Sequence, residues 1–307
     1  MIKKRLSRIF LCLAAFLCIS FLLQFLLQFL AIRILNLNFG KAMGNYALLF
    51  SAVPMYLAAF PLTVWRLRKI PAKPSSLTES KKPRSEKMLP FGNLFQLFCM
   101  SCVLMTVGNL IGNGLMHVIS YETPNLVEEL VSNTSSWVLF FSTVLLAPFV
   151  EEILLRKMLI DRVLFLGERT AVFLSAFCFG LMHGNLFQFF YAFSLGMLFA
   201  VVYIRTQNIR NTICLHMLVN FCGGLLPQSL MKLTANSAMT FVFALYGAAG
   251  LLVLLIGIYY FYRNRTWLCI HGGDLFRPGS AAWLKCLFLT PGMVLFLLTC
   301  ILLFVMN

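Results

Sequence analysis

The chain has 307 residues, 60% of them hydrophobic and only 11% charged, with a formal net charge of +15. A soluble domain carries roughly 25% charged residues, and here apolar runs near membrane length recur throughout, so the composition excludes a soluble globular protein and describes a polytopic helical membrane protein. The positive charge sits in short segments between those runs, with no zinc-finger or RNP motif and no basic helix, so the bilayer and not nucleic acid is the partner it implies.

The first apolar run follows Met1-Ile2-Lys3-Lys4-Arg5 and continues from Ile9 to Ile32. It is too long for the apolar region of a signal peptide and no small-x-small cleavage site ends it, so it reads as a retained span. Nine spans are expected, near 9–32, 45–65, 91–118, 136–157, 171–189, 190–204, 211–226, 237–262 and 284–306, with 171–189 and 190–204 close enough to form one re-entrant pair. Of the 25 Lys and Arg residues, 22 fall on the side of the N-terminus in this arrangement. That bias puts the N-terminus in the cytoplasm, in what reads as a bacterial plasma membrane. Residues 69–87, rich in Pro, Ser and Lys, form a cytoplasmic linker. The chain thus divides into 1–90 (two spans and a basic linker), a core at 91–226, and two further spans in 227–307, which carry no motif and read as lipid-facing scaffold.

Two features outside the centre have plain structural readings. Most of the ten cysteines lie inside apolar runs; Cys99 and Cys102 have C-x-x-C spacing but sit in a Phe- and Met-rich span, as packed hydrophobes do. Gly108 and Gly112 form G-x-x-x-G, a spacing that lets helices approach closely.

Chemistry concentrates between Glu151 and Asn220. Glu151-Glu152-Ile153-Leu154-Leu155-Arg156 ends one span, Phe179-Gly180-Leu181-Met182-His183 lies in the next, and His216-Met217-Leu218-Val219-Asn220 in a third. A charge in hydrocarbon costs about 2.5–3.5 kcal/mol or more, which makes such residues functional candidates by default. Adjacent helix positions point about 100° apart, so Glu151 and Glu152 have different roles. Glu152 and Arg156 stand at i, i+4 in the favourable order and pair along the helix. His183 is expected mid-span, between Gly180 and Gly184. His216 and Asn220 share a helix face. A desolvated carboxylate is an effective base, an imidazole can help hold a water, and a second imidazole with an amide can donate to an oxyanion. Together they describe hydrolysis of an acyl bond, above all a peptide. The set Glu151, His183 and His216 could equally bind Zn²⁺. No H-E-x-x-H or G-x-S-G occurs and no Asp lies in a span core, which argues against other intramembrane protease types.

The pattern E-E-x-x-x-R, F-x-x-x-H, H-x-x-x-N resembles the CAAX-protease and bacteriocin-processing (CPBP, or Abi) family, whose eukaryotic members are type II CAAX prenyl endopeptidases. It is carried by Glu151, Glu152, Arg156, Phe179, His183, His216 and Asn220, over residues 136–226. The resemblance implies an all-α transmembrane bundle of about eight or nine spans, with a site open to the cytoplasm. It further implies that Glu151 and His183 activate water, that His216 and Asn220 form the oxyanion hole, and that Glu152, Arg156 and Phe179 support them. Lys157 and Leu155 depart from the family, where Gly often follows the Arg and an aromatic precedes it. The expected function is an intramembrane endopeptidase acting on a membrane-associated protein or peptide, with no cofactor and with zinc as the alternative. A non-catalytic immunity or scaffold protein that binds a peptide is the rival from another class. A transporter is disfavoured, since no repeated halves are found.

One mismatch of depth stands in the sequence. Counted from the nearest basic residues at about 1.5 Å per residue, Glu151 lies about 8 Å from Arg156, whereas His183 lies about 21 Å from Arg169.

Overall fold

A computed structural model describes residues 2–34, 43–72, 88–119, 126–233, 238–270 and 275–306, and among these there is no strand. Lys41, Glu122, His271 and linker residues 73–87 lie outside the described residues. In chain order the principal helices are α1 (Ile2–Arg33), α2 (Asn45–Arg68), α3 (Phe91–Ile119), α4 (Ser136–Leu166), α5 (Glu168–Met182), α6 (Leu186–Thr206), α7 (Ile209–Met231) and α8 (Thr240–Arg263), followed by α9 (Ala281–Leu287) and α10 (Pro291–Met306), a pair bent by 75°. Among the described residues seven helices are long and apolar enough to cross a bilayer, or eight if the bent pair is one span. The remaining expected span corresponds to α5. Its 15 residues rise about 22 Å, short of the ~30 Å hydrocarbon core. The chain is therefore a polytopic, all-α integral membrane protein.

Helix α6 lies between α3 and α5, α7 packs beside α4, α1 packs on α2 and α10, and α8 rests on α3. A Cβ on Gly108 would collide with the backbone of Tyr191, and one on Gly112 would lie 2.9 Å from Leu186 O. The G-x-x-x-G is thus where the α3 and α6 backbones meet. The two C-terminal spans differ from each other. Only 6% of the apolar window of α8 is buried, as expected of a lipid-facing helix. By contrast, α10 buries Met293, Phe296 and Cys300, and the α9 residue Trp283 donates its indole N–H to Thr170 Oγ1 at 3.0 Å. The bent pair is part of the core and not merely scaffold.

Three membrane helices widen into π-helical turns just before a proline. Phe60, Ala147 and Leu226 each donate their N–H to the carbonyl five residues back, on Met55, Ser142 and Phe221. Each immediately precedes a proline: Pro61, Pro148 and Pro227. A proline ring clashes with the carbonyl four residues before it, and a wider turn moves that carbonyl aside. Pi-helical turns are frequent at functional sites, and Pro148 stands three residues before Glu151.

Candidate active site

The hairpin of α4 and α5 sets the depth of the site. The two helices meet at Gly167, whose φ of 112° suits glycine. Glu151 lies 16 residues before that turn and His183 16 residues after it. At about 1.5 Å per residue both stand about 24 Å from the turn, at one level. The mismatch in the sequence came from treating Arg156 as the end of its span. Instead α4 runs on to Leu166, a π-helical stretch covers Ile153–Ile160, and Arg156 is entirely buried.

His183 is not mid-span. It closes α5, its N–H bonding Gly180 O, and Gly184 at φ 67° then turns the chain back into α6. Asn185 fixes this turn: its side chain accepts from Gln188 N–H at 2.9 Å and donates to His183 O at 3.0 Å.

The two acids separate as their positions on the helix require. Glu152 is fully buried between a guanidinium and an imidazole. One oxygen lies 3.1 Å from Arg156 Nε and the other 3.0 Å from His216 Nδ1; Thr212 stands beside the carboxylate and gives its hydroxyl hydrogen to Ile209 O at 3.1 Å. Thr212 and His216 are one turn apart on α7, so a single face of that helix meets one carboxylate. Glu151 keeps 27% of its side chain exposed, and its Oε2 lies 3.7 Å from His216 Nε2. His216 is thus placed between the two glutamates, one at each ring nitrogen.

Phe179 organises the rest. Its ring meets His183 and His216 edge to face, with centroids 4.9 and 5.5 Å apart. The Arg156 guanidinium lies over the same ring at 4.8 Å and over Phe199 at 5.8 Å. Such stacking can stabilise a desolvated cation by about 2 kcal/mol, which matters because Arg156 Nη1 and Nη2 have no hydrogen-bond partner.

Both imidazoles have one nitrogen committed. His183 Nδ1 lies 2.7 Å from Phe179 O; a carbonyl can only accept, so Nδ1 carries the hydrogen and Nε2 is left free. In the same way the Glu152 carboxylate orients the His216 ring. Glu151 is within electrostatic reach of His183. Asn220, one turn beyond His216, donates one amide hydrogen to Thr143 O at 2.8 Å, which leaves the other available. The structure thus brings together Glu151, Glu152, Arg156, Phe179, His183 and His216, and ties Asn220 to α4. Sequence reasoning missed Thr212, Phe199 and the Glu152–His216 bond. Thr212 could have been found, because it precedes His216 by one turn.

Zinc, if used, would call on Glu151, His183 and His216. Among the described residues no group of three or more His, Cys, Asp or Glu side chains is arranged to hold a metal ion.

Residues 133–222 match the family model described as Rce1-like, the type II CAAX prenyl endopeptidases. This segment, under a third of the chain, is similar to that family. It contains all seven residues that carry the sequence pattern. No curated protein and no solved structure matches the chain. The match thus supports a CAAX-type intramembrane protease at the level of the family, and the matched segment overlaps the α4–α7 unit that builds the cluster.

Proposed function

We propose that the chain is an endopeptidase that hydrolyses a peptide bond of a membrane-associated protein or peptide, at a site within the membrane that opens to the cytoplasm, with Glu151 as the base. The observation that carries this reading is the division of labour between the acids. Glu152 is fully buried between Arg156 and His216, whereas Glu151 is partly exposed, close to His216 and within electrostatic reach of His183.

A water held between Glu151 and His183 Nε2 gives a proton to the carboxylate and its oxygen bonds to the peptide carbon. The negative charge that develops on the carbonyl oxygen is met by His216 and by the free amide hydrogen of Asn220. The C–N bond then breaks, and the proton on Glu151 passes to the departing amine. A positioned general base contributes about 10²–10⁴-fold, and each oxyanion donor about 10²–10³-fold. His216 lies between the acids, with Nδ1 against Glu152 and Nε2 on the side of Glu151.

The test compares protein termini in membranes of cells expressing wild type or Glu151→Gln at matched levels. New ends present with wild type and absent with the variant are expected, and they identify the substrate. Identical termini, with the cellular effect of the protein retained by the variant, would instead mark a non-catalytic immunity or scaffold protein.

A further inference from the structure

A recess of about 320 Å³ is lined by Lys157, Tyr203, Gln207, Asn208, Ile209 and Arg210. Two of these residues are cations. The half-exposed Lys157 ammonium lies 3.0 Å from Asp161 Oδ2, and the other oxygen of Asp161 accepts from the Tyr203 hydroxyl at 2.8 Å. Asp161 therefore offsets one positive charge and the recess keeps another. Gln207 holds a left-handed φ of 54°, which few non-glycine residues adopt, and its amide donates to Ile204 O at 3.0 Å.

The recess is built on the helices of the active site. Lys157 follows Glu151 by six residues on α4, and Arg210 precedes His216 by six on α7. Each separation is about 9 Å at the helical rise. Tyr203 stands one turn from Phe199, whose ring lies 5.5 Å from that of His216. An extended peptide covers about 3.3–3.6 Å per residue. A chain running from Glu151 into the recess would put there a residue two or three positions from the reacting bond.

On the protease reading, we infer that this recess is a specificity subsite that takes a carboxylate of the substrate, with Arg210 and Lys157 as its recognition residues. That carboxylate is an internal Asp or Glu side chain of the substrate. A peptide fits better than a lipid headgroup, because Lys157 and Arg210 stand on α4 and α7, the helices that carry Glu151 and His216.

The test uses the full chain in phosphatidylcholine nanodiscs. The probes are lipid-anchored decapeptides in which one Asp is walked along an otherwise neutral sequence, each made as free acid and as amide. Cleavage by wild type is read as kcat and KM. Binding to Glu151→Gln protein is read by fluorescence anisotropy, which does not depend on turnover. Asp two or three residues from the cut is expected to favour a probe about 10- to 100-fold, mostly in KM and in binding. The preference should fall to near one in Lys157→Gln/Arg210→Gln and turn toward a Lys-bearing probe in Arg210→Glu. The amides should show the preference as strongly as the free acids; a preference confined to free acids overturns the inference. Equal binding of acidic and neutral probes, or a preference that the double variant keeps, overturns the inference and leaves the protease reading intact. Retention of phosphatidylglycerol that depends on Arg210, without any peptide preference, also overturns it and gives the recess to lipid. Failure of the protease reading would show separately, as unchanged termini in cells.

Discussion

Arg156 offers the sharpest energetic test of the buried cluster. It is 0% exposed, its Nε lies 3.1 Å from Glu152, and its two terminal nitrogens have no partner. Replacing it with Met keeps most of the volume but leaves Glu152 with an uncompensated charge. Removing one member of a buried pair costs about 3–5 kcal/mol. Glu152→Gln does the same to Arg156. Replacing both removes two charges together, so Glu152→Gln/Arg156→Met should lose less than the sum of the singles, by about 1–3 kcal/mol. The native cysteines supply the assay. With the exposed Cys18 and Cys269 blocked, the buried Cys178 and Cys300 react with a thiol-sensitive dye on unfolding. At about 2–4 °C per kcal/mol, each single variant should lower Tm by roughly 10 °C. A loss below about 2 °C in Arg156→Met, or strict additivity in the double variant, would refute a buried, mutually dependent pair.

Two further outcomes follow from the geometry. In α8, Gly257→Ala should destabilise by about 1–3 kcal/mol through overpacking, since the new Cβ would meet Val103 Cγ2 at 2.7 Å; Gly250→Ala, with nothing within 4 Å, should change stability by under about 1 kcal/mol. Thermal scans of both separate a docking contact from a lipid-facing position. Extensive treatment of purified protein with a zinc chelator should leave cleavage of an identified substrate unchanged; loss of activity that added Zn²⁺ restores would move Glu151, His183 and His216 to the role of ligands.

Much of the site can be read from spacing, because its local parts are helical. The Glu152–Arg156 pair, the shared face of His216 and Asn220, and the divergence of Glu151 from Glu152 all follow from 3.6 residues per turn. The close approach at Gly108 and Gly112 was legible for the same reason. Depth was not. Arg156 looked like the cytoplasmic end of a span, since a lone arginine in hydrocarbon is costly. Its burial depends on Glu152 and on two aromatic rings contributed by α5 and α6. His183 looked mid-span because its neighbours are apolar, although Gly184 and Asn185 already spelled a turn and a helix cap. The bond between Glu152 and His216 spans 64 residues, and no local pattern encodes it.

The most direct test of the central claim is cleavage of an identified substrate by purified protein in water enriched in heavy oxygen, for wild type and for Glu151→Gln. Glu151 is partly exposed and its variant is isosteric, so Tm should shift by no more than about 1 kcal/mol equivalent. Wild type should place one heavy oxygen in each new carboxyl end, and the equally stable variant should cut at least ~10³-fold more slowly. Cleavage by Glu151→Gln at the wild-type rate would contradict the assignment of Glu151 as the base that activates water.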